Sequence, residues 1–304
     1  SYNTEVMISN AELAIQILAD NAGATDQAVE DLGITGITSL TELFEAYNVL
    51  NAVVNPTEQA TYTVSASDLV TANATAGGVF ALNMVGDPAS ATITVESDGI
   101  TYTNLILTTG TTNATVVAGD QTGAGDTITI VGAGTNDVTL GAGNDTLTIY
   151  GSGTNVVDAG TGNDTIILGS GTNTVTFAEG DLGAGDTVTG GTGIDTVYIS
   201  GDGNVWGAGA GGAILTNVEH VVLVGTTLTI DSVSMVELQS ILGHPETSEV
   251  TLDFTGAAAD LDLSGVSITG LEKVIISGGA ANLTLTAAQI GQIGEFTGAA
   301  GLAF

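Results

Sequence analysis

The centre of the chain repeats one short phrase, a Gly-x-Gly turn followed by Asn or Asp and by two or three alternating aliphatic residues. Most successive turns lie nine or ten residues apart. A unit this short has no room for a helical hairpin or a propeller blade, so each unit must be one turn and one strand of a solenoid. Two units then form one coil. The turns begin at Gly123, Gly132, Gly141, Gly151, Gly160, Gly169, Gly183, Gly191 and Gly201.

Turns that are two units apart should lie on the same edge of such a stack. Their polar residues then form two columns, which share a spacing of 18 or 19 residues until a common step of 22. An insertion of about four residues at "AEGD" (178–181) explains the step, because it delays both edges equally. One column contains Asp126, Asp145, Asp164 and Asp186, and the other contains Asn136, Asn155, Asn173 and Asp195.

The column of acids favours a bound cation. Neighbouring strands lie about 4.8 Å apart, and carboxylates stacked at that distance repel one another. Calcium suits this edge best, because it accepts about 6–8 oxygen ligands in a loose geometry, whereas Mg²⁺ requires a stricter octahedron. Zinc prefers nitrogen or sulfur, and the chain has two His and no Cys. The Asn column needs no ion, since stacked amides hydrogen-bond to one another. A solenoid with plain Asn and Asp turns and no metal is the alternative.

The overall charge excludes several classes of partner. The chain has 34 acidic residues and a single basic one, Lys273, which gives a formal net charge of -33. Nucleic acids and anionic membranes bind clustered Lys or Arg, so neither is an expected partner. The 43% of apolar residues, arranged in β-branched runs, nevertheless predict a folded protein rather than a disordered one. No stretch reaches the roughly 18 apolar residues of a membrane span.

The remainder of the chain predicts three further regions beside the repeats. Helical periodicity predicts a helical N-terminal segment over residues 1–54, and short alternating runs predict a small β module over 55–113. The repeats fill 114–204, and a β-rich, solenoidal C-terminal cap follows over 205–304. The predicted fold class is therefore mainly β, a parallel β-roll or β-solenoid with a short N-terminal helical segment.

Three stretches resemble the calcium-binding β-roll of the repeats-in-toxin (RTX) family. "GGTGIDTVY" (190–198) matches the family nonapeptide G-G-x-G-x-D-x-U-x, and 140–148 and 159–167 match it except at the first glycine. The resemblance implies Ca²⁺ as cofactor, with carboxylate ligands from Asp145, Asp164 and Asp195. It also implies chelating turns that contain Gly141, Gly143, Gly160, Gly162, Gly191 and Gly193. Asp126 and Asp186 come one residue early, so we include them as candidates with a different ligation.

The expected function is structural. RTX proteins leave the cell through a type I channel with an uncleaved C-terminal signal, so the resemblance implies an extracellular or cell-surface location, with 294–304 as the tail. No Arg, no second Lys and no catalytic motif such as H-E-x-x-H or G-x-S-x-G occurs, so we do not expect an enzyme.

The main hypothesis is a calcium-dependent protein that assembles with itself into a bacterial S-layer or surface filament. One alternative is a secreted adhesin or glycan-binding module that binds cell-surface polysaccharide. The other is the calcium-binding tail of a larger RTX protein.

Overall fold

The computed structural model describes twelve stretches of the chain, and its secondary structure there is almost entirely β. These stretches are residues 50–54, 61–64, 79–84, 92–96, 104–110, 113–118, 125–207, 212–231, 238–244, 251–255, 261–276 and 283–298. The strands are β1 (Leu50–Val54), β2 (Thr61–Val64), β3 (Val79–Met84), β4 (Thr92–Glu96), β5 (Asn104–Gly110), β6 (Asn113–Val117), β7 (Thr127–Gly132), β8 (Asn136–Thr139), β9 (Thr146–Tyr150), β10 (Thr154–Asp158), β11 (Thr165–Ile167), β12 (Thr172–Phe177), β13 (Thr187–Thr189), β14 (Ile194–Ser200), β15 (Val205–Trp206), β16 (Ile214–Thr216), β17 (His220–Val224), β18 (Thr227–Asp231), β19 (Ser240–His244), β20 (Thr251–Thr255), β21 (Leu261–Asp262), β22 (Ser267–Thr269), β23 (Leu271–Ile276), β24 (Leu283–Thr284) and β25 (Ile293–Gly298). A single short helix, α1, spans Ala287–Ile290 within this part of the chain.

The chain divides into two compact units. The first contains residues 1–156 and 167–172, and the second contains residues 157–166 and 173–304. In the first unit the strands alternate between two parallel sheets, as they must when each coil contributes one strand to each side. The strand orders there are β1-β3-β5-β7-β9 and β2-β4-β6-β8-β10. The strands of the predicted β module (55–113) thus lie in the same two sheets as the first repeats.

The second unit is also a parallel solenoid, with an additional sheet after the repeats. Its strand orders are β11-β13-β16, β12-β14-β17-β19-β22, β15-β18-β20-β23-β25 and the pair β21-β24. Neighbouring strands pair in parallel, as Thr196–Ser200 do with His220–Val224. The solenoidal character predicted for the C-terminal region is therefore present, and the chain is a mainly β, parallel β-solenoid.

Alternating burial explains why the repeats form strands. In β9 the side chains of Leu147 and Ile149 are buried, whereas those of Thr146 and Thr148, which alternate with them, are half-buried. This period of two places one aliphatic row inside each coil and one polar row outside it. Each fully buried Val, Leu or Ile contributes about 1.5–3 kcal/mol relative to an exposed one.

Glycines at the turns allow the coils to stack closely. A Cβ on Gly153 would overlap the carbonyl oxygen of Gly134 in the neighbouring coil, and a Cβ on Gly171 would overlap that of Gly153. Gly151 additionally has φ of 145°, which L-residues with a side chain rarely adopt. Glycine therefore recurs every nine or ten residues because it permits close contact between coils as well as the turn conformation.

Three features differ from the sequence expectations or lie beyond them. Residues 1–49 of the predicted helical segment lie outside the described residues, and its last five, Leu50–Val54, form strand β1, paired in parallel with β3. The predicted β-rich cap (205–304) also contains helix α1. Thr286 and Gln289 form a reciprocal capping box at the N-terminus of this helix. Such a box is a sequence signal for a helix start, and we did not use it in the prediction.

The first prediction concerns the stacked glycines. Gly153→Ala should lower the free energy of unfolding by about 2 kcal/mol or more, because the added methyl group meets a main-chain oxygen that cannot move independently. Gly265→Ala is the matched control, since a Cβ there has open space. Urea unfolding of both variants at saturating calcium measures the effect. Equal destabilisation by the two changes would contradict the stacking role of Gly153.

Candidate metal centre

The acid column of the first unit is buried and hydrogen-bonded to the main chain. Asp126 and Asp145 are each 1% exposed. The main-chain N–H of Asp126 donates to Oδ1 of Asp145 at 2.6 Å, and the N–H of Thr146 donates to the carbonyl of Asp126 at 2.8 Å. A carboxylate of one coil thus binds the turn of the coil before it. This role for the acids was absent from the sequence analysis.

The second unit repeats the arrangement with Asp164 and Asp186. The N–H of Asp164 donates to Oδ1 of Asp186 at 2.7 Å, across the predicted step of 22 residues. Oδ2 of Asp186 accepts from the N–H of Gly183 at 2.8 Å, within its own turn. Both oxygens of Asp186 therefore bind main-chain N–H groups. The bond to Gly183 closes the turn in which Asp186 comes one residue early.

The insertion at residues 178–181, which causes the step of 22 residues, is a turn. In residues 178–181 the N–H of Ala178 donates to Oδ2 of Asp181 at 3.2 Å, and the N–H of Asp181 donates to the carbonyl of Ala178 at 3.3 Å. The insertion closes on itself. The strands after it therefore resume the register of both columns.

The Asn column of the first unit forms the expected amide ladder. Asn136 and Asn155 are completely buried, and Nδ2 of Asn136 donates to Oδ1 of Asn155 at 2.7 Å. The register neighbour of Asn136 in β6 is Ala114, which offers no side-chain donor. Oδ1 of Asn136 accordingly has no hydrogen-bond partner within the described residues, so the ladder begins here.

In the second unit this column changes from amides to acids. Nδ2 of Asn173 donates to Oδ1 of Asp195 at 2.6 Å, and the N–H of Asp195 donates to Oε2 of Glu219 at 2.9 Å. Asp195 therefore does not belong to the column of Asp164 and Asp186. Sequence reasoning missed Glu219, because residues 213–218, directly before it, contain no Gly-x-Gly turn. Its position 24 residues after Asp195, close to the preceding step of 22, was the available signal.

Burial raises the pKa values of three acids in the columns, Asp145, Asp186 and Asp195. Burial raises the pKa of Asp195 to about 6, the hydrogen bond from Asn173 opposes that rise, and the charge of Glu219 adds to it. The pKa of Asp145 is raised by burial and partly restored by the N–H of Asp126. The pKa of Asp186 is raised by burial, with the N–H groups of Asp164 and Gly183 opposing the rise. Burial therefore destabilises the ionised forms of these three carboxyl groups when no cation is bound beside them.

Tight turns of this kind favour glycine because the backbone takes positive φ there, and five of the six glycines in the candidate chelating turns have it. The φ of Gly193 is not positive. Positive φ values occur at Gly141 (85°), Gly143 (148°), Gly160 (70°), Gly162 (141°) and Gly191 (88°).

The donors around these turns are oxygens of carboxylates, amides and the main chain. Nowhere in the described stretches do three or more His, Cys, Asp or Glu side chains converge, so a cation here would need main-chain carbonyls as well. Calcium accepts such mixed oxygen ligands. His220 lies outside the columns, with Nδ1 2.7 Å from Oγ of Ser240, and His244 ends strand β19 at the surface. The residues present therefore fit calcium and do not fit zinc.

A membrane-spanning helix is not found in the described stretches of the chain. No family model matches the chain, and no curated protein or solved structure is significantly similar to it. The likeness to the RTX β-roll consequently rests on the nonapeptide motif and on a parallel β-solenoid with buried columns of Asp.

The second prediction concerns pH in the absence of calcium. The folded-state pKa of Asp195, about 6, exceeds the ordinary value of 3.8, so the folded state binds more protons between these values. Stability is therefore lost as pH rises through this window, by about 2 kcal/mol from Asp195 between about pH 4.5 and 7. Protein depleted of calcium on a chelating resin should be more folded at the lower pH by circular dichroism.

Asp195→Asn is the control for this pH effect. The amide keeps an acceptor for Asn173 and has no proton to lose, so the variant should show a weaker pH dependence. A calcium-free wild type that becomes more stable from pH 4.5 to 7 would contradict the assignment.

Proposed function

We propose that this chain is a calcium-dependent structural protein of the bacterial cell surface, exported to the outside of the cell, where it assembles with itself into a layer or filament. The observation that carries the proposal is the burial of carboxylates at the turns of a parallel solenoid. Asp126, Asp145 and Asp164 are almost completely buried, in a chain with one basic residue. Burial raises the free energy of an ionised carboxylate, so a cation from solution would stabilise the folded state.

Asp145, Asp164 and Asp195 are the side chains that would hold calcium, together with main-chain carbonyls of the glycine turns. The bound ion would supply positive charge and additional links between chain segments. Since such sites are absent from the unfolded chain, the free energy of binding becomes free energy of folding. Weak sites of the extracellular class, with Kd of about 10⁻⁴–10⁻³ M, would leave the chain unfolded before export and folded outside.

Surface charge supports assembly that depends on divalent ions. Asp158, Glu179 and Asp202 of the second unit are exposed, and the sole lysine lies 3.9 Å from Glu295. Copies of so acidic a chain repel one another at low ionic strength, because the formal charge is -33. Divalent cations between acidic faces would convert this repulsion into contact.

The third prediction tests calcium-dependent folding with a substitution that replaces a carboxylate by an amide of similar size. Asp145→Asn keeps an oxygen acceptor for the N–H of Asp126 and removes one negative ligand. Calcium titration by circular dichroism should show cooperative folding of the wild type, with a midpoint raised about tenfold or more in the variant. Asp137→Asn removes the same charge from an exposed position and should leave the midpoint unchanged. No folding response between chelator and several millimolar calcium would remove the proposal.

The fourth prediction tests assembly. Negative-stain microscopy of the wild type in millimolar calcium should show ordered sheets or filaments, and these should dissolve in chelator. Magnesium at the same concentration is the control for general charge screening, since it suits these loose oxygen sites poorly. Monodisperse particles that fold with calcium would contradict self-assembly. They would favour instead a glycan-binding module, which a polysaccharide array would test, or the tail of a larger protein.

A further inference from the structure

We propose that a calcium site joins the last nonapeptide repeat to the segment after it, held by Asp195 of that repeat together with Glu219 and the main-chain carbonyl of Asn217. This inference rests on the proposed calcium-dependent folding. It places ligands in the stretch "TNVE" (216–219), which contains no glycine turn and falls outside the repeat motif.

Asp195 supplies a buried oxygen that has no donor. The residue is 2% exposed, and Oδ1 accepts from Nδ2 of Asn173 at 2.6 Å. Oδ2 is buried and has no hydrogen-bond partner in the part of the chain that the structure describes. A buried carboxylate oxygen in this state carries a desolvation cost that a cation would remove.

A second oxygen converges on the same small space, which exists because residue 190 is glycine. A Cβ built on Gly190 would lie 2.6 Å from Oδ2 of Asp195 and would overlap the main-chain oxygen of Asn217. Gly190 does not have a positive φ, so its turn conformation does not require glycine. The N–H of Gly190 donates to the carbonyl of Thr216 at 3.0 Å, which ties the two segments together here.

The local backbone brings the Asn217 carbonyl to this position. Asn217 has φ of 52° and is the one non-glycine residue with positive φ in the described stretches. The related phrase "TGLEKVII" (269–276) has Gly270, with φ of 70°, at the corresponding position. Both phrases thus have a residue with positive φ at this place, and Asn217 adopts that conformation although it carries a Cβ.

Glu219 completes the set of negative ligands. Its Oε2 accepts the N–H of Asp195 at 2.9 Å, and its own N–H donates to the carbonyl of Asp195 at 3.2 Å. The charge of Glu219 also raises the pKa of Asp195, so the two carboxylates are close enough to repel. The next residue, His220, is hydrogen-bonded to Ser240 rather than to either acid. The carbonyl of Asn217 and the carboxylate of Asp195 beside Gly190, with the carboxylate of Glu219 bound to the main chain of Asp195, are mixed oxygen donors of the kind that calcium accepts.

The test counts calcium ions in a variant that keeps the local hydrogen bond. Glu219→Gln retains an oxygen acceptor for the N–H of Asp195 and removes one negative charge. Isothermal titration with calcium chloride, supported by native mass spectrometry, should show one ion fewer per chain than in the wild type, or one ion bound at least tenfold more weakly. The ions of the repeats should remain.

Glu272→Gln is the matched control, because Glu272 holds the same place in the related phrase and is exposed on β23. It should bind the wild-type number of ions. Circular dichroism at saturating calcium should confirm that Glu219→Gln is folded. If that variant does not fold, Glu219→Asp, which keeps the charge on a shorter side chain, enters the same titration with the same expected weakening.

The outcomes separate this inference from the proposed function. A wild type that binds no calcium would overturn both. Calcium binding that is identical in number and affinity in the wild type and in the folded Glu219 variant would overturn the site at Asp195 and Glu219. Calcium-dependent folding through the repeats would still stand in that case.

Discussion

Buried polar side chains that join one coil to the next are the interaction on which this solenoid depends. Strand pairing satisfies the main chain along the flat sides of a coil, whereas the turns leave N–H groups that no strand can pair. Oδ1 of Asp145 accepts the N–H of Asp126, and Oδ1 of Asp186 accepts that of Asp164. Each bond repeats once per coil, so it sets the register of one turn over another as well as satisfying a buried donor.

The same interaction buries negative charge inside the fold. A carboxylate that binds a main-chain N–H must leave water, and burial raises the pKa values of Asp145, Asp186 and Asp195. Amides avoid this cost, as the bond from Asn136 to Asn155 illustrates. Replacing amides by acids is therefore unfavourable for the metal-free fold, and the calcium proposed above would offset that cost.

Several features of the site were accessible from the sequence alone. The nine- or ten-residue period predicted one strand per turn, and the shared step of 22 residues correctly paired Asp164 with Asp186 and Asn173 with Asp195. The positive φ of Gly141 and Gly160 also followed from the motif. Period and spacing are reliable here because a parallel stack repeats its geometry with its sequence. Where the repeat lapsed, at Glu219 and helix α1, the same reasoning had no specific prediction to make.

The sequence by itself determined the solenoid and the two columns, because glycine turns and alternating aliphatic residues allow few other structures at this period. Which atoms the polar residues contact was decided only by the tertiary structure. Asp145 and Asp186 have the same residue type and both follow a glycine turn, yet a shift of one residue gives Asp186 a second N–H partner within its own turn. Glu219 joins the column because a strand 24 residues away stacks beside Asp195. Such contacts join residues distant in sequence, and hydrogen bonds form only when the stacked backbone sets their distance and direction.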